Sequence, residues 1–262
     1  IESGARCYEF VPYKYGCFSF HSYYDKRVLT KYGLLVEEEK RWVLKGQGDY
    51  LNNLAVGERK KIEQTVSSYR SLKGNDLLRY VYRRYPYYAI NSVVAEEVLT
   101  QREYQTVKDC ISTDTGTAFF TIGYEGNSFE HYMNRLIRNN VKMVCDVRRN
   151  PLSMKYGFSK KQLMDALAKL SIEYAHFPEL GIESGKRKDL RTDDDYAALF
   201  TEYENTLIPR RMDKLIEILE LLKQQGRIAL TCFEADPRKC HRGIVAKKVT
   251  ELSGNGLAAR HL

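Results

Sequence analysis

From residue 118 onward the chain alternates near-continuous apolar runs with amphipathic ones, and that alternation restricts its fold more than any other feature. The runs 118–124, 141–147 and 227–233 are mostly apolar, and 172–177 is strand-like. A strand this apolar along its whole length must be covered on both faces, which is the condition of a parallel sheet lying between helices. Helical spacing predicts helices over 128–139, 159–170, 194–207, 209–225 and 237–253, with Ser128 and Ser159 as N-caps, and a last strand over 257–262. The polar stretch 179–195 is long for a plain connection and is expected to serve as a lid or binding loop. The expected class is α/β, a parallel-sheet, three-layer domain over 118–262.

Before residue 112 the period differs. Helices are expected over 25–36, 58–71, 75–85 and 93–110, with Pro86 stopping the third. Residues 37–45 alternate around Trp42-Val-Leu44 and reach a turn at Gly46-Gln-Gly48. Helix followed by hairpin is the order of a winged helix. The small polar run Ser112-Thr-Asp-Thr-Gly-Thr117 reads as a linker. The expected organisation is a smaller, mostly α, winged-helix-like interaction or sensing domain over 1–111, a linker over 112–117, and the α/β domain over 118–262.

With 262 residues and 43% hydrophobic content the chain is neither disordered nor a small disulfide scaffold. Its formal charge of +8 is spread over both halves and is compatible with phosphate-bearing partners without requiring them. The six cysteines are scattered, and neither a signal peptide nor an apolar stretch of membrane-spanning length is evident. Reduced thiols, a cytoplasmic location and no membrane partner are therefore expected. The chain starts at Ile1 rather than Met, so its first element is expected to lack upstream sequence.

In a parallel sheet the ligand lies beyond the carboxyl ends of the strands. The polar residues that follow each strand are Gly123, Tyr124 and Glu125; Asp146 with Arg148 and Arg149; Glu179; then Cys232, Glu234, Asp236, Cys240, His241 and Arg242. Clustered carboxylates and guanidiniums push one another's pKa values apart, as acid–base or nucleophilic work requires. Asp146, Glu234, Cys240 and His241 are the catalytic candidates; Gly123, Tyr124, Glu125, Arg148, Glu179, Cys232 and Arg242 are the substrate- or anion-binding ones. The plainer alternatives are an Asp146–Arg148 ion pair at the sheet edge, Glu234 as a helix cap, and cysteines packed as small hydrophobes. His176 is a further candidate; His21, His131 and His261 have no such context.

Cys232 and Arg238 have the spacing of a phosphatase loop, but Glu234 and Asp236 between them would repel a dianion. No metal is expected, because the eight-position step from Cys232 to Cys240 lacks the usual close Cys pair. A helix start fits better: Asp236 as N-cap, Pro237 at N1, the dipole lowering the Cys240 pKa, and Arg242 clamping an anion. In the first half, Tyr80-Val-Tyr-Arg-Arg-Tyr-Pro-Tyr-Tyr88 interleaves guanidiniums with rings. Such a stripe can stack on bases and clamp phosphates, making Arg83, Arg84 and Tyr87 nucleic-acid-binding candidates, or it can pack one domain on the other.

Thr121-Ile-Gly-Tyr-Glu125, Cys145-Asp-Val-Arg148, Phe177-Pro-Glu-Leu-Gly181 and Cys232-Phe-Glu-Ala-Asp-Pro-Arg-Lys-Cys-His-Arg242 together resemble the bacterial domain-of-unknown-function family 488. The resemblance covers about residues 118–262 and implies an α/β fold with a pocket at these motifs. It carries no settled reaction. Tyr124-Glu125 departs from the His-Ser type pair of many members. Phe10-Val-Pro-Tyr-Lys-Tyr-Gly16 with Phe18-Ser-Phe20 is similar, over residues 7–90, to the antitoxin-like Panacea domain. That resemblance implies a winged-helix-like interaction module tied to prophages and defence. Cys17 stands where that family usually has Pro.

The function expected from these readings is a hydrolase-like enzyme directed at a nucleic acid or nucleotide, in a defence setting, with a protein partner met through the first domain. The alternative is a non-catalytic DNA- or partner-binding regulator that senses a small anion. Thiol or metal chemistry at Cys232 and Cys240 is the third reading.

Overall fold

The structure, a computed structural model, describes residues 8–262 apart from 40, 47, 188–191 and 255. Cys7, Lys40, Gln47 of the expected turn and the 188–191 part of the expected lid lie outside the described residues. The chain divides into two compact units, Ile1–Ile111 and Ser112–Leu262.

In the first unit an antiparallel pair, β1 (Val11–Tyr13) and β2 (Gly16–Phe18), precedes helix α1 (Phe20–Lys31). This helix begins earlier than the apolar spacing suggests because the Ser19 side chain accepts the Ser22 N–H and caps it. Strands β3 (Leu35–Glu38) and β4 (Arg41–Leu44) form the hairpin that follows. Helices α2 (Val56–Tyr69), α3 (Asn75–Arg84), α4 (Ala95–Val98) and α5 (Gln101–Lys108) complete the unit. The single helix expected over 93–110 is broken: Leu99 is extended, and Thr100 and Glu103 build a capping box that restarts the helix as α5. Tyr82, Ala89, Ala95, Leu99 and Val107 form a small core, whereas α2 buries none of its residues.

The second unit is an α/β domain. Its elements run β5 (Ala118–Gly123), α6 (Phe129–Arg138), β6 (Met143–Asp146), α7 (Lys160–Lys169), β7 (Glu173–His176), α8 (Asp193–Glu202), α9 (Met212–Gln225), β8 (Arg227–Cys232), α10 (His241–Ser253) and β9 (Ala259–His261). The five strands pair in the order β7-β6-β8-β5-β9, all parallel. Within the run expected as a linker, Asp114 pairs with the buried Arg227 at 2.9 Å and the Gly116 carbonyl accepts from it at 2.6 Å. That run is therefore tied to the start of β8.

Alternation along the strands sorts side chains between two faces. Phe119, Cys145, Val147, Ile228, Leu230 and Cys232 join Leu215, Ile218, Leu222, Val245 and Val249 of α9 and α10 in one core. Thr231, one step out of phase with these, accepts the Tyr132 hydroxyl of α6 at 2.9 Å on the other face. Right-handed crossovers put α7 on that face as well. The connection leaving β8 thus runs to one face while those leaving its neighbours β5 and β6 run to the other. Such a switch point opens a crevice at the carboxyl edge of the sheet.

Candidate functional site

Two groups of polar side chains meet at that crevice, one from each face. On the α6–α7 side, Asp146 ends β6 fully buried and Arg148 follows it, 6% exposed. Arg148 Nη2 and Asp146 Oδ2 are 2.5 Å apart, and Arg148 Nε donates to Oδ1 at 2.8 Å. The Arg148 backbone N–H also donates to Oδ1, at 3.1 Å, and the Tyr174 hydroxyl donates to Oδ2 at 2.8 Å. The remaining nitrogen, Nη1, donates to the Phe158 carbonyl at 2.8 Å and the Tyr124 hydroxyl at 3.0 Å. Burial works against the Arg148 charge, but the Asp146 carboxylate more than offsets it and holds the guanidinium protonated beyond its ordinary range. Burial and the same carboxylate push the Tyr174 hydroxyl up. Asp146 is engaged on both oxygens, which is the ion-pair alternative rather than a carboxylate presented to substrate.

On the α9–α10 side the chain turns back sharply after β8. Asp236 caps only a short 3-10 turn, Pro237–Lys239, and α10 begins at His241 with Cys240 extended between the two. This corrects the expectation of one helix from Pro237. The break aims the Cys240 and His241 side chains back at Cys232, so that their sulfur and nitrogen atoms all lie within 4.8 Å of one another. His241 Nδ1 is 3.8 Å from Cys232 Sγ and 4.0 Å from Cys240 Sγ. Nε2 lies 2.9 Å from the Val147 carbonyl oxygen. A carbonyl only accepts, so Nε2 carries a proton, and it is Nδ1 that faces the thiols. Cys232 Sγ in turn lies 3.3 Å from Glu234 Oε2. The Cys240 thiol is pushed well above its usual value, chiefly by burial. This reverses the lowering expected from the helix dipole; desolvation of a buried thiolate is the larger effect here.

Gly123 lets these loops close. A Cβ there would collide with the carbonyl oxygen of Glu234, so the β8 loop crosses directly over the end of β5. Tyr124 N–H and Glu125 N–H both donate to the Phe233 carbonyl, at 3.1 and 2.9 Å, and Glu125 accepts the Ala235 N–H at 2.9 Å. Arg242, expected as an anion clamp, is 1% exposed and donates to the Glu234 carbonyl and, at 2.8 Å, to the Ala235 carbonyl. It holds the loop, and its Nε is buried without a hydrogen-bond partner among the described residues. Gly123, Glu125 and Arg242 are thus builders of the site.

Between the two groups lies a cleft of about 340 Å³, lined by Tyr124, Arg148 and Arg149, by Leu152 and Met154, and by Cys232, Phe233 and His241. Tyr124 stacks on Phe158, centroids 4.2 Å apart and planes 9° from parallel. Glu179 lies elsewhere, in an adjoining cavity with Lys186, Glu202, Tyr203 and Arg210 that shares only Arg149 and Ile182 with this cleft. His176 donates from Nε2 to the Arg148 carbonyl at 3.0 Å, a holding role. In the first unit, Arg83 pairs with Glu103 at 2.7 Å, Arg84 lies 5.8 Å over the Tyr85 ring, and Tyr87 packs on Tyr88.

Sequence reasoning names Arg149 among the polar residues after β6 without giving it a role, and passes over Phe158, Tyr174 and the Val147 carbonyl. Arg149 alone has a signal, as the second guanidinium after β6; the others matter through contacts made across the fold.

The fold and this edge define a parallel α/β domain with its polar residues gathered at a switch point. Residues 128–249 match the family model Domain of unknown function DUF488. The match takes in Asp146, Arg148, Glu179, Cys232, Glu234, Cys240, His241 and Arg242, and starts after Gly123, Tyr124 and Glu125. No curated protein and no solved structure matches the chain.

Proposed function

We propose that this chain is a hydrolase-like enzyme directed at a nucleotide or nucleic acid, working in the cleft at the carboxyl ends of β5, β6 and β8. One observation carries the reading: Cys232 and His241 line the same cleft as two guanidiniums, Arg148 and Arg149. Arg148 is fixed by Asp146, whose carboxylate balances its charge, and forms part of the cleft wall. Arg149 is exposed at the mouth, where it can hold a phosphate in a forked hydrogen bond. Phe233, 44% exposed on the cleft wall, offers a ring on which a base can stack. The Cys232, Cys240 and His241 group is the reaction centre, and Glu234 beside it is the acid–base carboxylate.

For the first unit, the α1 and β3–β4 order supports the winged-helix-like, Panacea-like reading as an interaction module. A groove of about 520 Å³ lined by Leu72, Asp76, Arg79, Tyr80, Arg83 and Arg84, in which Asp76 pairs with Arg79, is the surface it would offer to a nucleic acid or acidic partner.

The enzymatic reading is tested by incubating the chain with nucleoside mono-, di- and triphosphates and with short single-stranded DNA and RNA, following products by chromatography. Turnover of at least one substrate is expected. Glu234→Gln should lower kcat by roughly 10²-fold or more, and Arg149→Glu should act mainly on KM. Turnover equal in the wild type and in a folded Glu234→Gln variant, or none with any substrate, would overturn the assignment.

A further inference from the structure

We infer that Cys232, Cys240 and His241 form a binding site for a single thiophilic divalent metal ion of the Zn²⁺ class, with one coordination position open to the cleft. Tetrahedral zinc with Zn–S near 2.3 Å and Zn–N near 2.05 Å places sulfur and nitrogen ligands roughly 3.6 Å apart and two sulfurs roughly 3.8 Å apart. The two sulfur-to-Nδ1 distances are 3.8 and 4.0 Å and all three atoms lie within 4.8 Å of one another, so closing on an ion requires those distances to shorten by no more than about 1 Å. All three residues are buried, which suits a neutral unit of one dication and two thiolates.

The imidazole is oriented as a ligating one is. A metal-bound histidine donates its other ring N–H to a carbonyl or carboxylate, which fixes the tautomer. His241 does so to the Val147 carbonyl, with the Tyr203 ring edge-on to it at 5.8 Å between centroids. Three protein ligands leave tetrahedral zinc one vacant position, the arrangement of catalytic rather than structural sites. Cys232 and His241 line the cleft and Cys240 does not, so that position faces the cleft, toward Arg148 and Arg149. A water bound there would be acidified, and Glu234, beside Cys232, is the carboxylate placed to take its proton. This chemical consequence rests on the enzymatic reading; the metal site does not.

The test is metal binding by the whole chain, without any substrate. The reduced protein, stripped with chelator, is titrated with Zn²⁺ by calorimetry and with Co²⁺, whose thiolate charge-transfer absorption reports sulfur ligation. One equivalent per chain and a cobalt–thiolate band are expected. Cys240→Ser and His241→Ala should each weaken binding by more than the roughly 10–100-fold that loss of an outer-shell partner costs. Cys110→Ser, in the other unit, should change nothing. Circular dichroism of each variant separates loss of a ligand from loss of fold, and the wild-type stoichiometry stands independently of any variant. Absence of saturable binding would overturn the site, as would binding unaffected by Cys240→Ser. A wild type that ignores both metals but forms a reversible Cys232–Cys240 disulfide under mild oxidant would also overturn it, in favour of a redox pair. Metal binding with no turnover of nucleotides would leave the site standing and refute only the substrate class.

Discussion

Replacing Asp146 by Ala separates the two roles this carboxylate could have. In the fold it is fully buried and accepts from Arg148 Nε, Nη2 and backbone N–H and from the Tyr174 hydroxyl. Truncation leaves a guanidinium that is 6% exposed and, among the described residues, retains the Tyr124 hydroxyl and the Phe158 carbonyl as hydrogen-bond partners. Breaking a buried pair in this way costs about 3–5 kcal/mol, because the orphaned charge stays desolvated. That is a large part of the ~5–15 kcal/mol that stabilises an ordinary domain, and a change of roughly 10²- to 10⁴-fold in the folding equilibrium. Removing both charges with Asp146→Leu and Arg148→Met should cost less than the single change. What then remains is the ~1–3 kcal/mol of leaving tyrosine hydroxyls without their charged partners.

The assay is urea unfolding followed by two signals at once. The sole tryptophan, Trp42, belongs to the first unit, so its fluorescence reports that unit, while far-UV circular dichroism reports both. Two units need not unfold in one transition, and the comparison isolates the second. The expected result is a Trp42 transition that stays in place while a dichroism transition moves to lower urea. A loss below ~1 kcal/mol for Asp146→Ala, or a double variant no better than the single one, would contradict a buried, mutually dependent pair. A folded, fully stable Asp146→Asn chain that has lost only activity would return Asp146 to the catalytic role that its sequence position suggests.

Two further outcomes are expected in the first unit. Reversing Arg83 and Arg84 to Glu should weaken binding to single-stranded oligonucleotides and reduce the slope of log K against log salt by about one unit for each phosphate no longer neutralised; an unchanged slope would remove the stripe from any nucleic-acid surface. Burial raises the Cys17 thiol from 9.0 to about 11. At pH 8 its thiolate fraction should therefore be roughly 100-fold below that of an ordinary thiol, and its alkylation rate, followed by mass spectrometry, should climb tenfold per pH unit until about 11. Levelling off near pH 9 would show the thiol to be solvated.

The parallel sheet is readable in the sequence because a strand covered on both faces is apolar along most of its length, as 118–124, 141–147 and 227–233 are. The motif ends also point to the right edge of that sheet. What each side chain does there is not readable, because it depends on contacts between residues far apart in the chain. Asp146 and Arg148 read equally as catalyst and as ion pair until Tyr174, 28 positions away, closes the pair from outside. Cys232 and Cys240 have unpromising spacing for a metal on a continuous helix. They become neighbours because α10 starts only at His241, and the extended Cys240 reverses the direction of its sulfur. The helix dipole misleads at Cys240 for a related reason: helix ends are visible in sequence, but the burial that outweighs them is not.

The alternation that hides these roles also links them. Asp146 and Val147 are successive residues and send their side chains to opposite faces of the sheet, one to the Arg148 pair and one to the core shared with Cys232 and Cys240. The two polar groups are therefore separated by the sheet along most of its length and share only its carboxyl edge. Yet the peptide between them belongs to both: the Val147 carbonyl orients His241, and the next residue's backbone N–H is held by Asp146. A change that releases Arg148 thus frees the carbonyl that fixes the imidazole tautomer. On this geometry Asp146 and Arg148 hold the peptide unit that orients His241, which under the proposed function makes them positioning residues, and loss of the pair should disturb His241 before any substrate is bound.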